Sequence, residues 1–341
     1  MDPIVIVLLI LMFALSFGIG ANDETMATLV GSRSIKTKYA IILGATLAFL
    51  GVIFLSEQVG KTIGENLLGK SVTYNNYMLF AIIISTTIWL IVASTTGAPI
   101  STTHSVVGSV FGVALVWSFQ QDGKFIDSLN WTKLGEVALG WILSPLLGLI
   151  GAFLLKLLVN KIIAKFQKGL ERLEKIEKIS SILLIIIISW TQLSRGGNDS
   201  ANALGILYGL IETGGPDASM IEQYKIWFVI GVGLMISLGI IIIGRRVIKN
   251  VGNNLLDLRP SDGLSIELST SIILFVATIL GLPVSGTHVL VFSIIGAGLV
   301  QGEKPRGKAF FKMIISWIIT FPVAAILSAV LYGTLYSIFL V

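Results

Sequence analysis

The sequence predicts an all-α integral membrane protein, on three observations: the composition, the lengths of the apolar runs and the positions of the basic residues. Of 341 residues, 54% are apolar and only 13% are charged, about half of the usual quarter. The mean hydropathy is +0.90. So little charge cannot cover the surface of a soluble protein of this size, which excludes a soluble enzyme. The absence of cysteine excludes a disulfide framework and a thiolate metal site.

Apolar runs long enough to cross a bilayer recur along the chain, since a crossing helix needs about 20 apolar residues. They lie at 3–21, 39–56, 77–119, 137–159, 179–194, 226–244, 268–302 and 313–341. The runs 77–119 and 268–302 are too long for one helix, and each is interrupted, by Gly97-Ala98-Pro99 and by Gly281-Leu282-Pro283. We therefore expect each of these two runs to form a helical pair or a re-entrant hairpin.

The basic residues predict the orientation in the membrane, because cytoplasmic loops carry an excess of Lys and Arg. With the N-terminus outside, eighteen basic residues fall inside, in the groups 33–38, 156–178, 245–259 and 304–312, and five fall outside. We therefore expect a multi-pass protein of the cell membrane with both termini extracellular. Basic cytoplasmic loops also account for the net charge of +5, so no nucleic-acid partner is expected.

The only long hydrophilic segment, 160–178, separates two apolar halves. Apolar residues recur within it at 162, 163, 166, 170, 173 and 176, which predicts an amphipathic surface helix. We interpret it as a cytoplasmic basic linker helix, with a lipid-binding or regulatory role as the alternative. The predicted organisation is a first transmembrane repeat at 1–159, the linker at 160–178 and a second transmembrane repeat at 179–341.

The two halves share short motifs in the same order. Residues 20–23 (GAND) correspond to 196–199 (GGND), 61–67 (KTIGENL) to 249–255 (KNVGNNL), and 97–104 (GAPISTTH) to 281–288 (GLPVSGTH). An odd number of predicted crossings separates the copies, so we expect the halves to be inverted relative to each other. Inverted repeats with broken helices and a site near the midplane are typical of secondary transporters. The sequence contains no GxSxG motif, and we expect no enzyme activity.

The first shared motif puts acids beside apolar spans, where ionisable groups are costly and usually functional. In each copy glycine precedes the Asn-Asp pair and small residues follow, a pattern that predicts a break in the helix and a capped new start. Carbonyl, Asn and Asp oxygens at such a break suit a hard cation such as sodium; the alternative is N-capping at the membrane edge. The residues expected to bind sodium are Asn22, Asp23, Thr103, Asn198, Asp199 and Thr287.

The third shared motif supplies hydroxyl groups next to a predicted helix start. The preceding Pro and Gly would end one half-helix and leave the hydroxyls beside the free amides of the next, which forms a cradle for an oxyanion. The alternative is that the hydroxyls bond to their own helix backbone. Gln192 and Arg195 flank the second Asn-Asp pair. Arg195 either counters the anion, pairs with an acid such as Asp199, or marks a helix end.

The chain's two histidines, His104 and His288, occupy equivalent positions in the third motif. They are interpreted either as structural donors that link the arms of each hairpin or as groups that contact the anion or exchange protons with it. A metal site other than sodium is the least favoured interpretation, because the sequence has no HExxH or paired-histidine spacing.

These motifs resemble those of the inorganic phosphate transporter (PiT) family. The resemblance is carried by 20–23 with 30–33 (VGSR), by 197–203 (GNDSANA) and by the two Pro-x-Ser-x-Thr-His segments, and it spans nearly the whole chain. The family's usual Asn-Asp-Val-Ala-Asn-Ala is matched better by the second copy than by the first, which reads NDETMA at 22–27. The resemblance implies a symporter that imports inorganic phosphate down a sodium gradient by alternating access, commonly as a homodimer, with sodium ions as co-substrate and no other cofactor.

The resemblance also implies that the acids of both Asn-Asp motifs and the hairpin hydroxyls form the substrate site. The residues then expected to bind phosphate are Asp23, Ser101, Thr102, Thr103, Ser105, Asp199, Ser285, Thr287, Gln192 and Arg195. A proton-coupled phosphate or sulfate permease of the same fold is the alternative. An ion channel is less favoured, because a channel requires a continuous polar pore.

Overall fold

The computed structural model describes residues 2–60, 67–69, 72, 75–120, 125–166, 169–212, 217–279 and 284–339, and of 57–60, 212, 278 and 279 the backbone only. These residues are almost entirely helical. The helices in chain order are α1 (Pro3–Ala21), α2 (Ala27–Gly31), α3 (Thr37–Gly60), α4 (Asn76–Thr95), α5 (Thr102–Gln120), α6 (Trp131–Phe166), α7 (Leu170–Glu212), α8 (Ala218–Gln223), α9 (Lys225–Gly239), α10 (Arg245–Asn254), α11 (Pro260–Ile279), α12 (Gly286–Val300) and α13 (Gly307–Phe339).

Eight helical segments in the described part of the chain are long and apolar enough to cross a membrane. They are α1, α3 to Ser56, α4, α5, α6, α7 to Ile211, the run Lys225–Asn254 in which the π-helix Ile240–Gly244 joins α9 to α10, and α13. Their positions follow the apolar runs in the sequence, because a backbone in lipid must satisfy its hydrogen bonds internally. The predicted all-α integral membrane class is confirmed.

Both overlong apolar runs contain two helices, as predicted. In the first, α4 and α5 pack against each other and are separated by 96–101, where Gly97 has a φ of +74° that favours glycine. In the second, α11 and α12 pack in the same way. The predicted interruption at Gly281-Leu282-Pro283 lies outside the described residues, as do residues 61–66 of the second shared motif.

The helix pairings come in matched sets. Helix α1 packs against α9 and α4, and α7 packs correspondingly against α3 and α11. Helix α5 packs against α13 as α12 packs against α6, and α4 contacts α13 as α11 contacts α6. The neighbours of α1, α4 and α5 are thus repeated by those of α7, α11 and α12, which is the arrangement expected for a two-fold repeat. The inversion of the halves stays a prediction.

The predicted helix breaks at the two Asn-Asp motifs have different outcomes. At the first motif α1 ends at Ala21 and α2 begins at Ala27, so the break is confirmed. At the second motif the prediction of a break is wrong, because α7 runs without interruption from Leu170 to Glu212. The second glycine pair instead allows close packing on α3: a Cβ atom at Gly196 would lie 2.5 Å from the Ala48 carbonyl oxygen.

The prediction of a separate linker helix at 160–178 is also wrong. Helix α6 continues to Phe166 and α7 begins at Leu170, so the hydrophilic segment extends two membrane helices. Gly169 has a φ of +94°, a conformation in which glycine commonly ends a helix. The apolar residues of this segment continue the periodicity of the flanking spans, which explains why the helices do not stop at the end of the apolar runs.

Lys156 was counted among the cytoplasmic basic residues, but it lies within α6 and not in a loop. Its side chain is 4% exposed and forms an ion pair with Asp262 of α11, whose side chain is fully buried. The second carboxylate oxygen of Asp262 accepts from the backbone amide of Arg259 at 2.8 Å. This pair therefore fixes the beginning of α11 against α6.

Candidate functional site

The break after α1 is tied to the tip of the first hairpin by Asn22. The Asn22 Nδ2 donates to the Ile100 carbonyl oxygen at 2.6 Å, and the Ile100 amide donates to Oδ1 at 3.2 Å. The Ser94 hydroxyl donates to the same Oδ1 at 3.3 Å. The amide group of Asn22, predicted as a sodium ligand, is therefore engaged in holding the hairpin tip against the break.

Asp23 connects the same break to α7. Its Oδ1 accepts from the Thr25 amide at 2.8 Å and from the Thr25 hydroxyl at 2.6 Å. Its Oδ2 accepts from Gln192 Nε2 at 2.6 Å. Two predicted phosphate-binding residues, Asp23 and Gln192, thus lie in direct contact although 169 positions separate them in the chain.

Arg195 is the central cation of the site. Its Nη1 donates to Glu24 Oε1 at 2.9 Å and to the Thr25 hydroxyl at 2.8 Å. Its Nε lies 3.5 Å from an Asp199 oxygen, one helical turn further along α7. Of the interpretations left open, the pairing with acids is the one realised here. Glu24 is completely buried, and its Oε2 has no hydrogen-bond partner within the described residues.

A fourth acid joins the cluster from α11. Glu267 is 1% exposed and accepts from the Thr28 hydroxyl of α2 at 2.8 Å. The sequence interpretation omitted Glu267, although an acid within an apolar run is itself a signal of function.

The cluster carries more acid than base. Glu24 and Asp199 share one arginine, with Asp23 and Glu267 nearby. Buried charges of one sign are costly unless counter-ions or protons compensate them. The arrangement therefore suits one or more cations, or protonation of some of the acids.

The hairpin tips meet next to this cluster. Ser101 accepts from the His104 amide and Ser285 from the His288 amide, both at 3.4 Å, so each serine caps its helix in the same way. The Thr287 hydroxyl donates to the Ile100 carbonyl oxygen at 3.4 Å and joins the two tips. A Cβ atom at Gly286 would lie 3.5 Å from the Arg195 guanidinium carbon, so the arginine lies over the beginning of α12.

Some predicted site residues do not contact the cluster. The Ser105 hydroxyl donates to the Ser101 carbonyl oxygen at 3.2 Å, within its own helix, as the alternative interpretation held. Thr102 and Thr103 are partly buried near the first tip, and Asn198 is exposed on α7. The uninterrupted helix explains the position of Asn198, since it directs successive residues to different sides of α7.

The two histidines lie side by side between the hairpins. Their ring centroids are 5.0 Å apart. His104 stacks on Trp141 of α6 with centroids 3.8 Å apart, and His288 packs on Trp317 of α13 at 4.3 Å. Trp317 Nε1 in turn donates to the Pro99 carbonyl oxygen at 2.8 Å. The pair thus joins both hairpins to the helices that support them. Nδ1 of His104 and both ring nitrogens of His288 have no hydrogen-bond partner among the described residues, so the role as donors between the arms of each hairpin stays a prediction.

A model of a known family, described as the phosphate transporter family, matches residues 19–328. The chain belongs to the phosphate transporter family. A protein of Thermococcus kodakarensis assigned as a phosphate permease is 30% identical, over 98% of this chain and 98% of that protein. A protein of Bacillus subtilis named a probable low-affinity inorganic phosphate transporter is 29% identical, over 98% and 99%.

A solved structure named "The sodium-dependent phosphate transporter" has the same fold as this phosphate transporter family member. The two are 26% identical, cover 98% and 99% of each other, and superpose with a TM-score of 0.80. The resemblance to the inorganic phosphate transporter family is therefore confirmed. The coverage of both chains means that the break, both hairpins and the buried cluster all lie within the shared fold.

Proposed function

We propose that this family member is a secondary active symporter that imports inorganic phosphate together with sodium by alternating access. The observation that carries the proposal is the acid-rich cluster buried at the break after α1, beside the tips of both hairpins. The name of the solved relative, a sodium-dependent phosphate transporter, supports the choice of cation.

The acids supply the cation half of the site. Asp23 and Glu24 lie in a helix break, where backbone carbonyls are also released from the helical ladder. Carboxylate and carbonyl oxygens are the ligands that hard cations take. A bound sodium ion would offset the excess negative charge and stabilise this arrangement of the break.

The hairpin tips supply the anion half. The beginnings of α5 and α12, capped by Ser101 and Ser285, carry the partial positive charge of helix N-termini. Arg195 lies over the beginning of α12. A phosphate ion there would be repelled by the empty acid cluster and attracted by a sodium-loaded one. The two ions would then favour each other's binding, which is the thermodynamic basis of coupling.

The assembly proposed for this symporter is a homodimer in the cell membrane, as the family resemblance implies. Mass photometry of the protein in lipid nanodiscs would give the number of chains directly. A single mass corresponding to one chain, unchanged by lipid composition, would contradict the dimer.

Two alternatives share the fold. In a proton-coupled permease the excess acids would be neutralised by protons. In a sulfate carrier the acids would have to lie away from the anion, because sulfate has no proton to donate to a carboxylate. Phosphate and arsenate near neutral pH both keep a proton that an acid can accept as a hydrogen bond, so arsenate should compete with phosphate and sulfate should not.

Radiolabelled phosphate uptake into proteoliposomes tests the proposal. The external salt is sodium or potassium chloride at fixed pH, and a separate series applies an inward proton gradient without sodium. Sodium-dependent, saturable uptake is expected, with arsenate but not sulfate as competitor. The surface variant Glu136→Gln, on an exposed pair with Lys133, is the matched control for acid replacements.

The other outcomes separate the alternatives. Uptake that follows the proton gradient equally in sodium and potassium would replace sodium coupling by proton coupling. Inhibition by sulfate as strong as inhibition by arsenate would favour the sulfate carrier over the phosphate symporter. Flux that does not saturate and cannot concentrate phosphate against its gradient would indicate a channel.

A further inference from the structure

A charged cavity lies away from the central cluster. It has a volume of about 570 Å³ and opens between the end of α2, the beginning of α3, the end of α10 and the segment before α13. Three basic side chains line it, Arg33, Lys36 and Arg306, against one acid, Asp257. They come from the first and the last of the basic groups in the sequence, which the orientation argument puts on the cytoplasmic side.

One of the three cations is already fixed. Arg306 donates to the Asp257 carboxylate at 2.8 Å and to the Asn253 carbonyl oxygen at 2.6 Å. Its backbone amide donates to the Leu255 carbonyl oxygen at 3.0 Å, which holds the segment before α13 against the end of α10. The remaining positive charge of the cavity lies on Arg33 and Lys36, both of them exposed.

The backbone at the opposite wall is arranged for an anion. Arg33 has a φ of +56° and is the one non-glycine residue with a positive φ in the described part of the chain, a conformation that costs about 1 kcal/mol or more and that surrounding structure must enforce. The chain turns at Arg33 and then enters α3, which has 24 residues. Lys36 and Thr37, at the beginning of α3, line the cavity. The first amides of a helix have no acceptor within it and attract anions.

The positive-inside bias accounts for basic residues on this side, but not for their convergence on one cavity together with a helix N-terminus. We propose that this cavity is a binding site for a phosphate-group anion, separate from the central site and exposed to the cytoplasm. Inorganic phosphate and the headgroup of an anionic phospholipid offer the same chemistry, and the experiment below distinguishes them.

The cavity is separated from the central cluster by a tight helix contact. A Cβ atom at Gly31 of α2 would lie 2.3 Å from the Gly252 carbonyl oxygen of α10, and one at Gly252 would lie 2.3 Å from the Ala27 carbonyl oxygen. The two helices are therefore in backbone contact between Thr28, which bonds to Glu267, and Arg33. Binding in the cavity can be measured without transport, and its failure is distinguishable from failure of symport.

The test measures how fast the Lys36 amine is acylated. Full-length protein in nanodiscs of phosphatidylcholine is treated with an amine-acylating reagent, in phosphate or in chloride at matched ionic strength, and modification is followed by peptide mass spectrometry. Phosphate should slow acylation of Lys36 by about tenfold, because hydrogen bonds between charged groups contribute on the order of tenfold to a hundredfold. Lys38 lies two positions along and outside the cavity lining, and its rate should not change.

Two variants make the outcome specific. Arg33→Gly removes the charge while allowing the positive φ, so it should abolish protection of Lys36 without lowering the melting temperature. Asp23→Asn, in the central site, should leave protection intact. Protection by phosphatidylglycerol in place of phosphate would support the site with a lipid headgroup as its ligand. Equal protection of Lys36 and Lys38, no protection by either source, or loss of protection in Asp23→Asn would overturn the proposal.

Discussion

Asn22 makes a contact that its sequence context does not indicate. The Asn-Asp pattern predicts a sodium ligand, whereas the side chain forms two hydrogen bonds with the backbone of Ile100. Motif spacing could not reveal this, because the partner lies 78 positions away on a hairpin tip. Asn22 therefore links the break to the first hairpin, and its role as a sodium ligand stays a prediction.

Replacing Asn22 by alanine should therefore loosen the hairpin tip. The buried amide of Ile100 would lose its partner, and its carbonyl oxygen would keep only the longer bond from the Thr287 hydroxyl, at a cost of about 1–3 kcal/mol. We expect a lower melting temperature and faster hydrogen exchange at Ile100. The control is Asn202→Ala, whose side chain donates within α7 to the Asp199 carbonyl oxygen at 3.3 Å. Equal effects of the two substitutions would contradict the tethering role.

Asp23→Asn should abolish sodium-dependent uptake while leaving the protein folded. The hydrogen bonds can survive, since an asparagine can still accept from Thr25 and Gln192 can turn its unpartnered Oε1 toward the new amide. The change thus removes mainly the charge. A cation site that loses one carboxylate should weaken by roughly a hundredfold, in line with about 3 kcal/mol for a buried charged partner.

The measurement is sodium-dependent phosphate uptake, with Glu136→Gln as the surface control that should retain it. Near-normal uptake by Asp23→Asn, with unchanged sodium dependence, would leave Asp23 only its role as acceptor for Thr25 and Gln192.

The sequence predicted those residues of the candidate site that lie in or beside a repeated motif. Asp23, Gln192, Arg195 and Asp199 do come together, because costly polar groups in apolar spans need partners. Glu267 was missed because it belongs to neither copy of a motif. Which hydroxyls face the anion also depends on where each hairpin helix begins, and composition cannot give a helix start to within one residue.

Among the helices, Gly196 and Gly197 of α7 mark a contact with α3 and not a second break. A Cβ atom at Gly196 would clash with the α3 backbone, whereas Gly209 on the same helix has no atom within 4 Å of its Cβ position. Glycine before Asn-Asp fits both a break and a close packing face. The sequence cannot separate these readings, because the deciding surface belongs to another helix.

Gly196→Ala and Gly209→Ala should therefore have opposite effects on stability. Overpacking costs about 1–3 kcal/mol, so Gly196→Ala should lower the melting temperature. Gly209→Ala should leave it unchanged or raise it slightly, since alanine favours a helix by about 1 kcal/mol over glycine. Scanning fluorimetry in one detergent compares both. A destabilised Gly209→Ala beside an unchanged Gly196→Ala would refute the packing account.

The buried pair of Lys156 and Asp262 connects α6 to α11. Removing one member of a buried ion pair costs about 3–5 kcal/mol, while replacing both can be nearly neutral. Lys156→Met should therefore destabilise the protein strongly, and adding Asp262→Asn, which keeps an acceptor for Arg259, should restore most of the loss. The melting temperatures of the two single variants and the double variant give the test; additive losses would mean that the two residues act independently.

At the scale of the whole molecule, hydropathy predicted where the membrane helices lie but not how they pair. The apolar runs correspond to α1, α3 to α7, α9 and α11 to α13. A side chain that faces lipid and one that faces another helix are equally apolar, so the matched pairings could not be deduced. Hydropathy likewise could not show that the two halves of the segment 160–178 extend α6 and α7 instead of forming a surface helix.

The orientation in the membrane can be tested with cysteine labelling, because the chain has no cysteine of its own. The first and last basic groups meet at one cavity, which supports their predicted location on one side of the membrane. Glu171→Cys, at the exposed beginning of α7, should react with an impermeant maleimide only after the cells are permeabilised. Lys133→Cys, in the exposed first turn of α6 on the opposite predicted side, should react in intact cells.

Glu171 is preferred to Gly169, where a positive φ would strain any side chain. Labelling of Glu171→Cys from outside intact cells, with Lys133→Cys protected, would reverse the orientation and put both termini in the cytoplasm.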